Sequence, residues 1–368
     1  MKRFEYADEL ISEREIMIAI PSIVIGVGIL SLPRFLATVT TAADGWISIL
    51  AGGVLAIGMT WIIAKLAASF PHQSFLSYAS RIVTKPVAVV LTFLFAFFFL
   101  QVVAFQVREI ADISKQYLFN RTPVEVLALV FLLVVVYAVS GSRAGLFRLN
   151  MMFFPIILFI SSLVIFFSIN RFESEHLFPM FQTSFTGYLK GLGSAATSYI
   201  GFGILWFYLS LVRQPSKAPK YAITGMCIPV VLYMVIFIAC IGVFGNEVTQ
   251  NLLFPVVELA KGAEIPGEFF ERFESVFFTI WIMAIFNTTT LGLDISVFAL
   301  TQIFKNTPKY TIIFILSPLV YVTAMYPQNL IEVSSFGTYI GYVIFGYTVF
   351  VAVLLLVVGK LRGVKALG

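Results

Sequence analysis

Uninterrupted apolar runs of about 20 residues leave a chain few folds to adopt, and this sequence carries ten of them. They fall near 12–37, 46–70, 86–117, 122–140, 148–170, 192–212, 219–244, 269–304, 309–326 and 335–359. Each is long enough to cross the hydrocarbon of a bilayer, where only helices or closed barrels satisfy every backbone polar group. The runs are continuous rather than alternating with period two, which disfavours a strand-built barrel. Hydrophobic residues make up 60% of the 368 positions and charged ones 12%, against roughly 25% charged in a water-soluble domain. The expected fold class is an all-α polytopic membrane protein with ten transmembrane helices in a single membrane domain over 1–368.

The first fifteen residues, "MKRFEYADELISERE", are mixed in charge, and the apolar run after them lacks a small-residue cleavage site, so the run is expected to stay as span 1. Basic residues divide unevenly between the connections. One side holds Lys2, Arg3, Arg14, Arg81, Lys85, Arg143, Arg148, Arg213, Lys217, Lys220, Lys305, Lys309, Lys360, Arg362 and Lys365; the other holds Lys115, Arg121, Arg171, Lys190 and Lys261. Arg34, Lys65, Arg108 and Arg272 are intramembrane or borderline. The positive-inside rule then places both termini in the cytoplasm, and the net charge of +5 reflects topology rather than a nucleic-acid footprint. Two longer connections fall outside: 171–191 with "HLFPMF", and 245–268, which reads as a short amphipathic helix over an outer vestibule or as a plain interfacial loop.

The hexapeptide "IGVGIL" at 25–30 returns as "IGFGIL" at 200–205. Both copies sit mid-span, and spans 1 and 6 each open a set of five, so the chain reads as two five-helix repeats of opposite orientation, 12–170 and 192–359. Matching interruptions in inverted halves are the sequence pointer to a transporter-type substrate site. A helix break strands N–H and C=O groups that hydrocarbon cannot solvate, so it survives only beside protein or a wet cavity. Glycine lets the main chain turn there and lets a ligand touch it, and Pro21 loosens the inner half of span 1 further.

Such a site suits a small zwitterion. The free N–H groups and positive dipole end at Gly28, Ile29 and Leu30 face a carboxylate, and carbonyls around Ser198 and Tyr199 accept from an ammonium group. A six-heavy-atom amino acid at a ceiling of about 1.5 kcal/mol per atom gains at most about 9 kcal/mol, which makes micromolar binding the practical limit. Span 8 carries "FNTTTLGLD", whose Asn287, Thr288, Thr289 and Thr290 either line the cavity opposite span 1, as ligand or cation contacts, or bond between helices. Asp294, about 10 Å further along the helix, is a proton or cation site or a group solvated in an inner vestibule. Arg108 and Asp112 read as a local i,i+4 ion pair. Arg34 either closes an outer gate with Glu332 or an aromatic, or snorkels to the interface. Among Phe202, Trp206, Tyr339 and Tyr342, one is expected to seal the pocket and the rest to pack.

Nothing points to an enzyme, a metal or a cofactor. His72 and His176 fall on opposite sides of the membrane and no Walker motif occurs. Cys227 and Cys240 lie about 20 Å apart along one helix, too far for a disulfide.

Several stretches also resemble a known family. "GVGILSLPR" in span 1 and "GFGILWF" in span 6, within ten spans, are similar to the amino acid–polyamine–organocation superfamily, with its LeuT-type 5+5 inverted repeat and discontinuous helices 1 and 6. Within it, "ISEREIMIAI", "ILSLPR", "HLFPMF" and "RFESVFFTIWI" resemble the spore germinant receptor B subunits, the GerAB-type permease-like family, over essentially the whole chain. The resemblance implies a subunit in the endospore inner membrane that binds an amino-acid germinant beside an A subunit and a lipoprotein C subunit. Its sensing residues would map onto Gly26, Gly28, Gly201, Gly203 and the Thr288–Thr289 pair. Proton-coupled relatives often carry a lysine midway along span 5; "RLNMMFFPIILFISSLVIFF" has none, which counts against that coupling. The alternative function is an ion-coupled secondary amino acid transporter, and a third is a scaffold that keeps the fold without binding anything.

Overall fold

The computed structural model describes residues 10–26, 28–262 and 273–364. Lys2, Arg3, Arg272 and Lys365, counted above, lie outside the described residues, as do Val27 and positions 263–268 of the second long connection. Fourteen α-helices occur among the described residues: α1 Glu13–Val24, α2 Gly28–Ala37, α3 Gly45–Ala68, α4 Phe75–Ile82, α5 Lys85–Tyr117, α6 Val124–Ser140, α7 Arg143–Ser168, α8 Phe185–Ser198, α9 Leu205–Tyr208, α10 Ala218–Asn251, α11 Pro255–Lys261, α12 Phe273–Ile303, α13 Lys309–Met325 and α14 Leu330–Leu361. Six of these are long and apolar enough to cross a membrane, or up to eight spans when α1 with α2, and α8 with the segment to Leu211, are each taken as one bent crossing. The shorter apolar helices α6 and α13 occupy the places of expected spans 4 and 9.

Local chemistry sets the ends. Ser12 and Glu15 form a reciprocal capping box at the start of α1, with Ser12 N–H donating to Glu15 Oε2 at 2.6 Å. Span 6 begins at Phe185 rather than near 192, because Ser184 caps it through the Gly187 N–H; the polar, glycine-rich first turns of α8 conceal that start from a hydropathy reading. Both described ends meet one face of the bundle. Ile11 pairs with the strand-like segment at Val212, its N–H donating to the Leu211 carbonyl at 2.9 Å, and the Arg362 guanidinium reaches the Val83 carbonyl. This is termed the terminal face below; the α2 end, the α11 segment and the start of α14 form the far face.

The hydrophobic core runs through the middle of the bundle, with a dense aromatic plug toward the terminal face. Phe75 of α4 stands edge-on to Phe95 at 5.4 Å and to Trp206 at 5.7 Å, and Phe95 meets Phe207 at 5.6 Å. Aromatic pairs at such spacings add to the area they bury.

At the far face one buried carboxylate organises the connection that contains "HLFPMF". Asp44, fully buried just before α3, accepts from the backbone N–H groups of Phe181 at 2.6 Å, Gln182 at 2.9 Å and Thr183 at 2.9 Å. Three N–H donors to one ionised group make a strong anchor. Asp44→Ala strands these donors and should cost about 2–4 kcal/mol of stability, with Asp44→Asn costing less because one acceptor oxygen remains; thermal unfolding of the purified protein in detergent measures both.

Candidate functional site

The first glycine copy is a true break. α1 stops at Val24, α2 starts at Gly28, and their axes differ by 52°. Carbonyls at the end of α1 are met by side chains from two other helices: Tyr233 of α10 donates to the Val24 carbonyl at 2.8 Å, which also accepts from the Gly26 N–H at 2.9 Å, and Thr288 of α12 donates to the Ser22 carbonyl at 3.1 Å. Gly26 is required by closeness, since a Cβ there would lie 2.8 Å from Thr288 Oγ1 and 3.3 Å from Gln106 Nε2.

The second copy behaves differently. α8 ends at Ser198, and Ile200–Ile204 continue as a 3-10 helix into α9, with a bend of 41° across the span. The backbone tightens instead of opening, because Phe202 and every residue from Ile204 to Tyr208 are fully buried and the surrounding packing leaves no space for an unwound strand. Gly201 again marks a close approach: a Cβ would collide with Ile23 and Val24 at the end of α1. The second glycine motif therefore packs against the end of α1, just before the first.

A cavity of about 310 Å³ opens beside this crossing toward the far face. Gly28, Ser31 and Arg34 of α2 line it on one side, with Ser194, Thr197 and Ser198 of α8 on another. Phe99, Val102, Phe105, Gln106, Glu109 and Asp112 line it from α5, and Thr338, Gly341 and Tyr342 from α14. Leu253 and Phe254, which lead into α11, reach its edge, so the predicted short helix over a vestibule stands beside the opening. Such a volume lies at the small-ligand end of binding cavities.

The site residues expected from sequence distribute as follows. Gly28, Gly201, Thr288 and Arg34 line the cavity. Gly26 lies behind its floor, packed against Thr288 and Gln106. Ile29, Tyr199, Phe202 and Gly203 are buried around it without lining it; Tyr199 stacks on Tyr233 at 5.1 Å, and Gly203 backs onto Phe99 and Thr348. Thr289 and Thr290 turn their hydroxyls back onto α12, donating to the Ile285 and Phe286 carbonyls. Asn287 is fully buried, with no hydrogen-bond partner for its side-chain amide among the described residues. Of the sealing aromatics, Tyr342 lines the cavity and Trp206 belongs to the terminal-face plug. Glu332 caps its own helix, accepting from Gln328 N at 2.8 Å and Asn329 Nδ2 at 2.6 Å, so the expected pair with Arg34 does not form.

Asp294 closes the opposite end. Far from being solvated in a vestibule, it is fully buried, accepting from Arg143 Nε at 3.1 Å and Tyr208 Oη at 3.0 Å, with Lys309 Nζ at 3.7 Å. The Arg143 guanidinium also lies over the Phe298 ring at 4.0 Å, and Phe147 stands edge-on to Tyr208 at 4.8 Å. With the aromatic plug, this cluster shuts the terminal face while the cavity opens to the far one.

Of the cavity residues that escaped the sequence reading, two are polar and unmet. Gln106 and Glu109 occupy one face of α5 and are 7% and 8% exposed; Gln106 Oε1 and Glu109 Oε2 are buried with no hydrogen-bond donor among the described residues. The signal was a carboxylate inside an apolar span, masked by its neighbours: Arg108 and Asp112 form the expected i,i+4 pair at 2.9 Å, which accounts for the local charge and draws attention from Glu109.

Against known proteins, the model of a family described as "Spore germination protein" matches residues 10–333. The chain belongs to this spore germination protein family. Spore germination protein GerLB of Bacillus cereus is 39% identical over 364 residues, covering 98% of this chain and 97% of that one. Spore germination protein YndE of Bacillus subtilis (strain 168) is 31% identical over 355 residues, covering 96% and 97%. Among solved structures, Mhp1, a nucleobase-cation-symport-1 family transporter in a closed conformation with bromovinylhydantoin bound, superposes with a TM-score of 0.69 at 12% identity over 95% of this chain and 78% of that one. MhsT in complex with L-phenylalanine gives 0.61 at 14% identity, covering 95% and 98%. The spore germination chain is thus a multi-pass membrane protein with the fold of LeuT-type transporters.

Neutralising Asp294 alone as Asp294→Asn leaves Arg143 without its buried counter-charge and should cost about 3–5 kcal/mol. The double change Arg143→Met with Asp294→Leu should recover most of that loss, as read from thermal unfolding of the three variants beside the wild type.

Proposed function

We propose that this chain is the germinant-sensing subunit of a spore germination receptor, binding a small zwitterion, an amino acid, where α1 breaks and α8 bends. The observation that carries this reading is the meeting of two opposed helix ends in one cavity. Gly28, which opens α2, stands close enough to Ser198, which ends α8, that a Cβ there would lie 3.9 Å from its hydroxyl. The N-terminal end of α2 offers partial positive charge and unpaired N–H groups, and the C-terminal end of α8 offers partial negative charge and carbonyls. A carboxylate and an ammonium group a few ångströms apart complement that pair of poles.

In this reading the chain has ten spans in two inverted five-helix repeats, 12–170 and 192–359. The terminal face lies in the cytoplasm and the cavity opens outward across the endospore inner membrane, with the A subunit and the lipoprotein C subunit as partners. Thr288 ties ligand to conformation: it lines the cavity and also holds the Ser22 carbonyl at the break. A ligand that prefers the shape with this bond made, or broken, shifts the equilibrium by its differential affinity, about 1.4 kcal/mol for each factor of ten.

An ion-coupled amino acid transporter is the second reading, favoured by the shared fold with Mhp1 and MhsT. Labelled amino acid accumulating in liposomes that contain this chain alone would support it over sensing.

Gly26→Val places a branched side chain where Thr288 Oγ1 stands and should abolish the germinant-dependent response of spores that carry it, with receptor abundance unchanged by immunoblot. An undiminished response at equal abundance would refute binding at the break.

A further inference from the structure

Glu109 is a buried group without a counterpart. Its Oε2 is shielded from solvent with no donor, and it makes no ion pair among the described residues. A carboxylate in an apolar span is costly unless it meets opposite charge or water. Asp112, one turn further along α5, bears the same sign and is taken by Arg108 at 2.9 Å. Arg34 lines the cavity from α2 and makes no ion pair among the described residues. One turn in the other direction, Gln106 lines the same cavity with Oε1 equally unmet. Positions three apart share a helix face, so both acceptors address one volume.

Two unmet acceptors on one wall, one of them a carboxylate, call for a cationic donor. We infer that Glu109, assisted by Gln106, anchors the ammonium group of the occupant, so that the cavity selects primary amines and rejects the corresponding amine-free carboxylic acids. This rests on the proposed amino-acid reading and deepens it: main-chain poles alone would fix orientation, whereas Glu109 makes positive charge a condition of entry. Arg34, on the α2 wall of the same cavity, then adds positive charge on the side where the α2 N-terminus meets the carboxylate of a zwitterion.

The test uses the full chain purified in detergent, with ligand-induced thermal shift and equilibrium dialysis as readouts. The twenty standard L-amino acids are screened, and each that binds is compared with its des-amino acid, for example L-alanine with propionate. The expected result is at least tenfold weaker binding of the des-amino acid to wild type. Glu109→Gln should weaken the amino acid at least tenfold, and should narrow the gap between amino and des-amino acid. Glu109→Asp, which keeps the charge but retracts it by one methylene, should fall between and remains informative if the glutamine variant does not fold. Equal amino-acid affinity, within twofold, in wild type and either folded variant overturns the role of Glu109 while leaving the amino-acid reading intact. A des-amino acid that binds wild type as tightly as its parent does the same. Absence of binding by every amino acid overturns the underlying reading and this inference with it.

Discussion

An interrupted helix in an apolar bundle has to dispose of its own backbone, and the rest of this structure follows from how that is done. The last turn of α1 presents carbonyls that no further helical turn can reach, and hydrocarbon offers no water in exchange. Tyr233 and Thr288 take them up with hydroxyls from α10 and α12. The break is therefore pinned to two separate walls of the bundle, and one of the two pins stands in the cavity. On the proposed reading, ligand and backbone would then share the environment of a single hydroxyl group.

The charges obey the same economy. Asp294 is surrounded by Arg143, Tyr208 and Lys309; Asp112 is held by Arg108; Asp44 is cupped by three N–H groups. Among the described residues, these three carboxylates thus have a structural assignment, and Glu109 does not. The contrast gives that residue its interest: the other three each meet a cation or a set of N–H donors, even though Asp294 Oδ1 has only the Lys309 ammonium at 3.7 Å, whereas Glu109 stands in the wall of the cavity with neither among the described residues.

Much of this was legible in the sequence. Apolar run length fixed the helices, because a span of hydrocarbon admits little else, and the paired "IGVGIL" and "IGFGIL" marked where α1 breaks and where the α8 segment bends. What stayed hidden was directional. A glycine pair announces that a helix is disturbed, not whether it opens, as at Gly26, or winds tighter, as at Gly201–Gly203, since that depends on the packing around it. The threonine cluster was visible as polar residues, yet Thr288 reaches the break as well as the Ala284 carbonyl of its own helix, while Thr289 and Thr290 bond within α12. Asp294 was visible as a charge, but Arg143 and Tyr208 come to it from positions 151 and 86 residues away along the chain, beyond any local pattern. Start sites blurred by polar first turns, as at Phe185, were missed for a simpler reason: hydropathy averages do not register a serine cap.

The cupped carboxylate of Asp44 reaches beyond local stability. By gripping Phe181, Gln182 and Thr183 it ties the root of α3 to the strand of chain that feeds α8, whose last turn borders the cavity. Thr183 in turn accepts from the Thr41 N–H at 2.8 Å, which extends the knot toward the far end of α2. The two half-spans that frame the cavity are thereby moored to one post on the same rim, α8 through charge-assisted bonds to Asp44 and α2 through the neutral Thr41–Thr183 bond, a linkage of a few ångströms that bypasses the greasy interior.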